Sequence, residues 1–380
     1  MEKMNSLPLS PGLCSGLLFA ALLALVLFAI PAAAQVTAVP APADADELPV
    51  APWVAEGAQF WDGREPTFRL EEAGQDATAE GWVAVTDSAI RLRIVVKDQV
   101  HVGNSGGAGM WKNDSVQFGI DALGDGTMGR PEDAEVIGRG DGDYCVSLTA
   151  GGAKVYSYTH SAATGQGPRD IPLEITRIEP SKLTVYDISV PWSEFQLCAA
   201  PSEVMGVSIM VNDSDPERQQ ERLFWGTGVA GEFKPAEFKR VRIVEPSHEY
   251  AGACIMNRMV QGDAPAAAVV VVSTTEPVRI ALNGQPVDLG EAGRLLEAPA
   301  EERRFVRLNL SGGPQEKLTG PQPFQVQVLG AEDKVLASAE TTLYPDYRED
   351  WWAFEPESDT GPSAIGMEEW LHTPAGKHGG

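Results

Sequence analysis

The chain has 380 residues and a net charge of −25. So acidic a surface repels phosphate backbones and anionic membranes, which argues against nucleic-acid or membrane partners. The length exceeds what a single core usually holds, and two domains are expected.

Residues 1 to 34 read as a signal peptide. A short polar segment carries Lys3, an apolar run extends from Leu17 to Ile30, and Pro31-Ala32-Ala33-Ala34-Gln35 has the small-residue pattern of a secretory cleavage site. The alternative is an uncleaved anchor, but the run is shorter than the ~20 residues a spanning helix needs. Cys14 precedes the apolar run, which does not suit a lipoprotein cysteine. The expected product is exported, either secreted or held in the periplasm or cell envelope.

Residues 35 to 52 are rich in Ala, Pro and acid and read as a linker. From 53 to 246, short alternating segments separated by Gly, Asp, Asn and Pro clusters predict an all-β, antiparallel β-sandwich. In IRLRIVVKD the apolar face is Ile90, Leu92, Ile94 and Val96; in DSVQFGID it is Val116, Phe118 and Ile120. DYCVSL presents Tyr144, Val146 and Leu148, VYDISVPW presents Tyr186, Ile188 and Val190, and GVSIMVND presents Val207, Ile209 and Val211. Gln117, Cys145 and Asn212 fall opposite the apolar faces of their strands, so they are expected to converge on one outer surface. The loop of roughly twenty residues after Asp121 is too long for a hairpin turn and reads as functional or mobile.

Residues 263 to 345 repeat the β signature, with an Asn283-Gly284 turn, and predict a smaller immunoglobulin- or fibronectin-like sandwich. Residues 346 to 380 form an acidic tail carrying Trp351, Trp352, Phe354 and Trp370, aromatics expected to pack onto the domains.

The sequence offers little catalytic chemistry. Its five histidines are scattered, no HExxH or P-loop pattern appears, and there is no GxSxG nucleophile elbow and no GxGxxG joining a strand to a helix. No Cys and His spacing resembles a zinc site. After maturation Cys145, Cys198 and Cys254 remain, an odd number permitting at most one disulfide within the chain. Asp121, Asp125, Asp141 and Asp143 offer oxygens for a structural Ca2+ without EF-hand spacing; the alternative is an acidic solvated loop. No other cofactor is indicated, and the protein is expected not to be an enzyme.

Taken in order, IRLRIVVKD, MWKNDSVQFGID, DYCVSL, TVYDISVPWSEF, MGVSIMVNDSDPERQQERLFW and FKPAEFKRVRI resemble carbohydrate-binding module family 9 and its wider superfamily of DOMON-like sandwiches, over residues ~60 to 244. The resemblance implies a sugar gripped between two aromatic side chains, with polar groups from neighbouring strands bonding the hydroxyls. Trp111 matches the first aromatic, Phe233 falls near the second, and Asn212 matches the Asn of the VND segment. Gln117 stands where the family tends to have Glu, and Cys145 near an expected Arg. The implied partner is an oligo- or polysaccharide, bound weakly or with altered specificity. Two alternatives stay open. One is a haem-binding or redox subunit with His101, Met110, Met128 and Met210 as candidate ligands. The other is an envelope structural protein that keeps the fold and has lost the site.

Overall fold

A computed structural model describes residues 35–38, 47–126, 140–158, 166–216, 220–229, 233–256, 259–260, 266–289, 296–312 and 320–345. The signal segment (1–34), the aromatic tail (346–380) and Met128 lie outside these residues. In chain order the strands are β1 (Gln35–Ala38), β2 (Val50–Ala51), β3 (Phe68–Glu71), β4 (Thr78–Val85), β5 (Ala89–Lys97), β6 (Ser115–Asp121), β7 (Asp141–Thr149) and β8 (Gly152–Ser157). They continue with β9 (Gly167–Pro168), β10 (Leu173–Ile178), β11 (Leu183–Pro191), β12 (Val204–Asp213), β13 (Glu221–Trp225) and β14 (Lys239–Ile243). The last are β15 (Tyr250–Ile255), β16 (Met259–Val260), β17 (Ala266–Thr274), β18 (Arg279–Leu282), β19 (Gln285–Pro286), β20 (Arg304–Gly312), β21 (Gln322–Leu329) and β22 (Val335–Pro345).

The first sandwich follows from the alternation in its central strands. One sheet runs β10-β11-β5-β4-β3; the other runs β2-β14-β12-β6-β7-β8-β9, with β13 also paired to β12. All of these pairs are antiparallel except β2 with β14. Ile90, Leu92, Ile94 and Val96 of β5 meet Val116, Phe118 and Ile120 of β6 and Val207, Ile209 and Val211 of β12 in one core. Each side chain predicted for these faces is buried. Phe118 stacks on Tyr144 from the neighbouring strand, with centroids 5.2 Å apart, and Phe68 stacks on Trp225 at 4.8 Å. Trp192 is buried and donates from Nε1 to the Thr86 carbonyl at 3.0 Å, so this tryptophan is a packing residue.

The second sandwich pairs β1-β20-β17-β15 against β16-β22-β21-β18-β19. It takes in β15, upstream of residue 263. It also takes in β1, from the segment expected as a linker, which pairs with β20 from Gln35↔Ser311 to Ala38↔Leu308. Its core gathers Val270, Ile280, Leu308, Phe324, Val326 and Val328 among others. The run AAAVVVVST becomes β17, a strand covered on both faces. Ala268, Val270 and Val272 face the sandwich's own interior, while Val269 and Val271 join the core of the first domain. A continuous apolar run is what a strand buried on both sides requires.

The two sandwiches therefore share packed surface. Trp53, predicted to begin folded structure, sits at the junction with edge contacts to Tyr250 (5.0 Å) and Phe305 (6.2 Å), and its Nε1 donates to Asp87 at 2.8 Å. Truncating a central core aromatic tests the first sandwich: Phe118→Ala should cost about 3–5 kcal/mol in urea denaturation. Truncation of the exposed Phe224 should stay within about 0.5 kcal/mol.

Candidate functional site

The outer face of the larger sheet carries the predicted site. Across β12, β6 and β7 the register aligns Asn212, Ser115 and Ser147 in one row and Met210, Gln117 and Cys145 in the next. Ser208, Gly119 and Asp143 follow, then Gly206, Asp121 and Asp141. The structure thus brings Gln117, Cys145 and Asn212 onto one face, as their strand parity predicts. They are not on open surface: Gln117 is 5% exposed, Cys145 0% and Asn212 1%.

Two segments help to cover this face. Residue 119 is a glycine because the space beyond it is taken: a Cβ there would lie 2.3 Å from Phe238 and 2.7 Å from Val229. Those two residues form a buried cluster with Met210, and Phe233 packs against it, edge-on to Phe238 at 5.4 Å. Among the described residues Phe233 is therefore engaged in packing. At the other end, the 3-10 turn Gly107–Lys112 buries Met110 beneath it and leaves Trp111 half-buried. Gly107 enters that turn at φ 56°, a left-handed conformation that suits glycine.

Polar groups buried on this face bond to one another, as the cost of stripping them of water demands. Asn212 donates from Nδ2 to Ser115 Oγ (3.1 Å), which donates to the Asn113 carbonyl (3.2 Å). Asn113 donates to Ser147 Oγ (3.1 Å), and Ser147 donates to the Asp114 carbonyl (3.1 Å). Gln117 donates from Nε2 to Asp143 Oδ1 at 3.0 Å. Burial raises the Asp143 carboxyl to about 7, with the Gln117 bond pulling the other way. Burial also pushes the Cys145 thiol up to about 12, so it is no nucleophile at neutral pH.

Trp111 and Phe233 are half-buried, whereas the other three predicted site residues are buried. Arg222 and Lys112 place cations 5.7 and 5.5 Å from its ring centre, and its carbonyl accepts a hydrogen bond from Gln220 Nε2. Arg222 pairs in register with Asn212 and so shares its face. Three of the four candidate haem ligands, His101, Met110 and Met210, are among the described residues. His101 Nε2 lies 3.1 Å from the Leu148 carbonyl and its Nδ1 3.6 Å from Asp114, while Met110 and Met210 are each 1% exposed.

The acidic residues divide differently from the sequence reading. Asp121 uses its carboxylate on the amides of Gly124 (2.7 Å) and Gly126 (2.9 Å), and Asp141 lies opposite it in register. Burial raises Asp141 to about 9, helped by the charges of Asp121 and Asp125. Oxygens that could hold one cation converge elsewhere: Asp98, Asp213 and Asp215 form one group, and Asp76, Asp213 and Glu221 another, each within 4.8 Å. Asp213 Oδ1 is buried and accepts no hydrogen bond among the described residues. Three to five carboxylates around one point suit a hard divalent cation. Of these residues only Asp213, Asp215 and Glu221 share a recognisably acidic stretch; Asp76 arrives from the loop before β4 and Asp98 from the residue after β5.

Two cavities open on the described surface, of about 270 Å³ beside Phe60, Arg64 and Trp82 and about 210 Å³ beside Leu197, Cys254 and Ala339. Neither is lined by Trp111, Gln117, Cys145, Asn212 or Phe233.

Buried carboxyls with raised folded-state values bind a proton that the unfolded chain has released. From pH ~4 to each folded value, stability must therefore fall as pH rises, by up to about 1.4 kcal/mol per pH unit per group. In chelator-treated buffer the thermal midpoint should rise on going from pH 8 to pH 5.5, with Asp141 and Asp143 as contributors. Calcium added at pH 8 should raise it as well, and Asp213→Asn should remove most of that calcium response.

No protein-family model matches this chain, and no curated protein matches it either. Solved structures that match part of this chain include a family 9 carbohydrate-binding module from Caldicellulosiruptor kristjanssonii in complex with cellotriose. It is 14% identical at a TM-score of 0.38, over 51% of this chain and 94% of that one. The same organism's module in complex with glucose is 14% identical at 0.36, over 52% and 97%. A putative carbohydrate-binding protein from Bacteroides uniformis is 15% identical at 0.31, over 46% and 85%.

Proposed function

We propose that the protein is an exported, non-catalytic carbohydrate-binding protein whose first sandwich takes a sugar ring on Trp111. The half-buried Trp111 indole carries this reading, held on a turn beside Arg222 and Lys112. Pyranose C–H faces stack on such rings, and guanidinium and ammonium groups donate to hydroxyls. Each contact is worth about 1 kcal/mol. Gln117 and Asn212 already spend donors on Asp143 and Ser115, and Cys145 supplies no charge. With so few terms, association costs leave an affinity of roughly millimolar.

The covering of the polar face favours a second reading, an envelope structural protein that keeps the sandwich and has no sugar site. Gln117, Cys145 and Asn212 would then be interior residues whose bonding fixes the sheet.

Titration with a panel of mono- and oligosaccharides, followed by tryptophan fluorescence and calorimetry, separates the two. Sugar binding predicts saturable signals at millimolar glycan, weakened at least tenfold by Trp111→Ala with little change in melting temperature. Phe233→Ala should lower stability by about 1–3 kcal/mol through lost packing, and should weaken binding only if Phe233 also touches the sugar. No response to any glycan at about 10 mM, or equal binding by the Trp111 variant, would defeat the platform.

A further inference from the structure

The junction between the sandwiches holds a feature that sugar binding does not use. Three consecutive residues after the turn Trp192–Phe195 dock the first domain onto the second. Ala199 donates its amide to Tyr250 Oη at 3.0 Å. The Ala200 carbonyl accepts from Arg307 Nε at 3.1 Å. Cys198 places its sulfur 3.0 Å from the sulfur of Cys254 on β15. Gly252 makes the approach feasible, because a Cβ there would lie 2.4 Å from Tyr250 Oη and 3.0 Å from Cys198 Cβ. Gln196 and Ala200 take left-handed backbone conformations, φ 57° and 46°. For non-glycine residues that carries strain, which the docking contacts offset.

The geometry points to an inter-domain disulfide between Cys198 and Cys254 in the mature protein. The remaining cysteine is no competitor, because Cys145 is wholly buried on the outer face of the first sandwich, beside Gln117 and Tyr156. The odd cysteine count thus resolves into one pair and one interior thiol. Cys254 is buried where it borders the 210 Å³ groove with Gln196, Leu197 and Ala339, and Cys198 is half-buried, so Cys198 is the more accessible thiol of the pair.

Oxidation follows ordinary thiol–disulfide exchange. The oxidant is a disulfide, either a low-molecular-weight one or that of an oxidising thiol oxidoreductase. One thiolate of the pair attacks it and expels a thiol. The second thiolate then attacks the mixed disulfide and expels the other. The protein gains one S–S bond and loses two protons and two electrons, and the oxidant becomes two thiols. The new bond closes a loop across a separation of 56 residues and fixes the angle between the domains. Closing so long a loop removes much entropy from the unfolded chain.

The test uses the mature chain, residues 35–380, equilibrated with glutathione disulfide, then denatured and alkylated without reductant. One alkylated cysteine among the mature chain's three is expected, rising to three after reduction, with peptide mapping joining the segments that contain 198 and 254. Reduction should also lower the melting temperature, by on the order of 5–10 °C. That measurement needs no variant. Cys145→Ser should leave the pair intact, and Cys198→Ser should make the melting temperature insensitive to reductant. Three alkylated thiols after oxidation, or a cross-link through Cys145, would overturn the inference.

Discussion

The structure turns on a sheet that is covered on both faces. β6, β7 and β12 bury Val116, Phe118, Ile120, Val207, Ile209 and Val211 against the opposing sheet, and they bury Ser115, Gln117, Cys145, Ser147, Ser208 and Asn212 on the other side. An apolar face gains from leaving water; a polar face loses unless every donor and acceptor finds a partner. The Asn113, Ser115, Ser147 and Asn212 chain and the Gln117–Asp143 bond meet part of that demand, while Asn212 Oδ1 stays buried without a hydrogen-bond partner among the described residues. The loops that cover the face must then leave room for one another, which is why residue 119 has no side chain.

The same covering decides what the face can do chemically. A hydroxyl-binding surface needs donors and acceptors waiting for a ligand, and here most are committed to the protein. Trp111 escapes because its turn lifts it to the edge of the covered region, where Arg222 approaches from β13. The carboxylates are affected in the opposite sense. Removed from water, Asp141, Asp143 and Asp213 hold protons well above the ordinary range, and neighbouring carboxylates add to the effect at Asp141 and Asp213. At neutral pH such a fold is opposed by its own charge, and a cation at the Asp98, Asp213 and Asp215 group would relieve part of that opposition.

Local sequence made the strands and their inward residues legible, because period-two alternation is a property of the chain itself. It also placed Gln117, Cys145 and Asn212 on one face, since the same parity rule applies to both sides of a strand. It could not say whether that face meets water. Val229, Phe233 and Phe238 cover it from a segment beyond β12 that lies more than a hundred residues past β6, and no local pattern marks them as a cover. The acidic cluster was hidden for the same reason, with Asp76 and Asp98 joined to Asp213 only by folding. The 35–52 segment read as a linker because Ala and Pro dominate it, yet pairing with β20 is enough to make Gln35–Ala38 a strand.

The junction explains a composition that two independent domains would not need. A free-standing sandwich would keep the outward residues of β17 polar, but Val269 and Val271 are both apolar and buried among first-domain residues. Trp53 and Phe305 fill the same seam with aromatic surface, and Arg307 is buried there deeply enough for its guanidinium to be shifted down to about 10. Burying a guanidinium is costly unless its donors are used. Nε serves the Ala200 carbonyl and Glu203 and Glu245 supply opposing charge, although Nη2 stays buried without a hydrogen-bond partner among the described residues. An apolar seam with an embedded, directional polar contact resists sliding more than an apolar seam alone, because any shift breaks a buried hydrogen bond. The second sandwich is thereby held against the first at a defined orientation, and the covered sheet and the junction strand β17 become parts of one packed body.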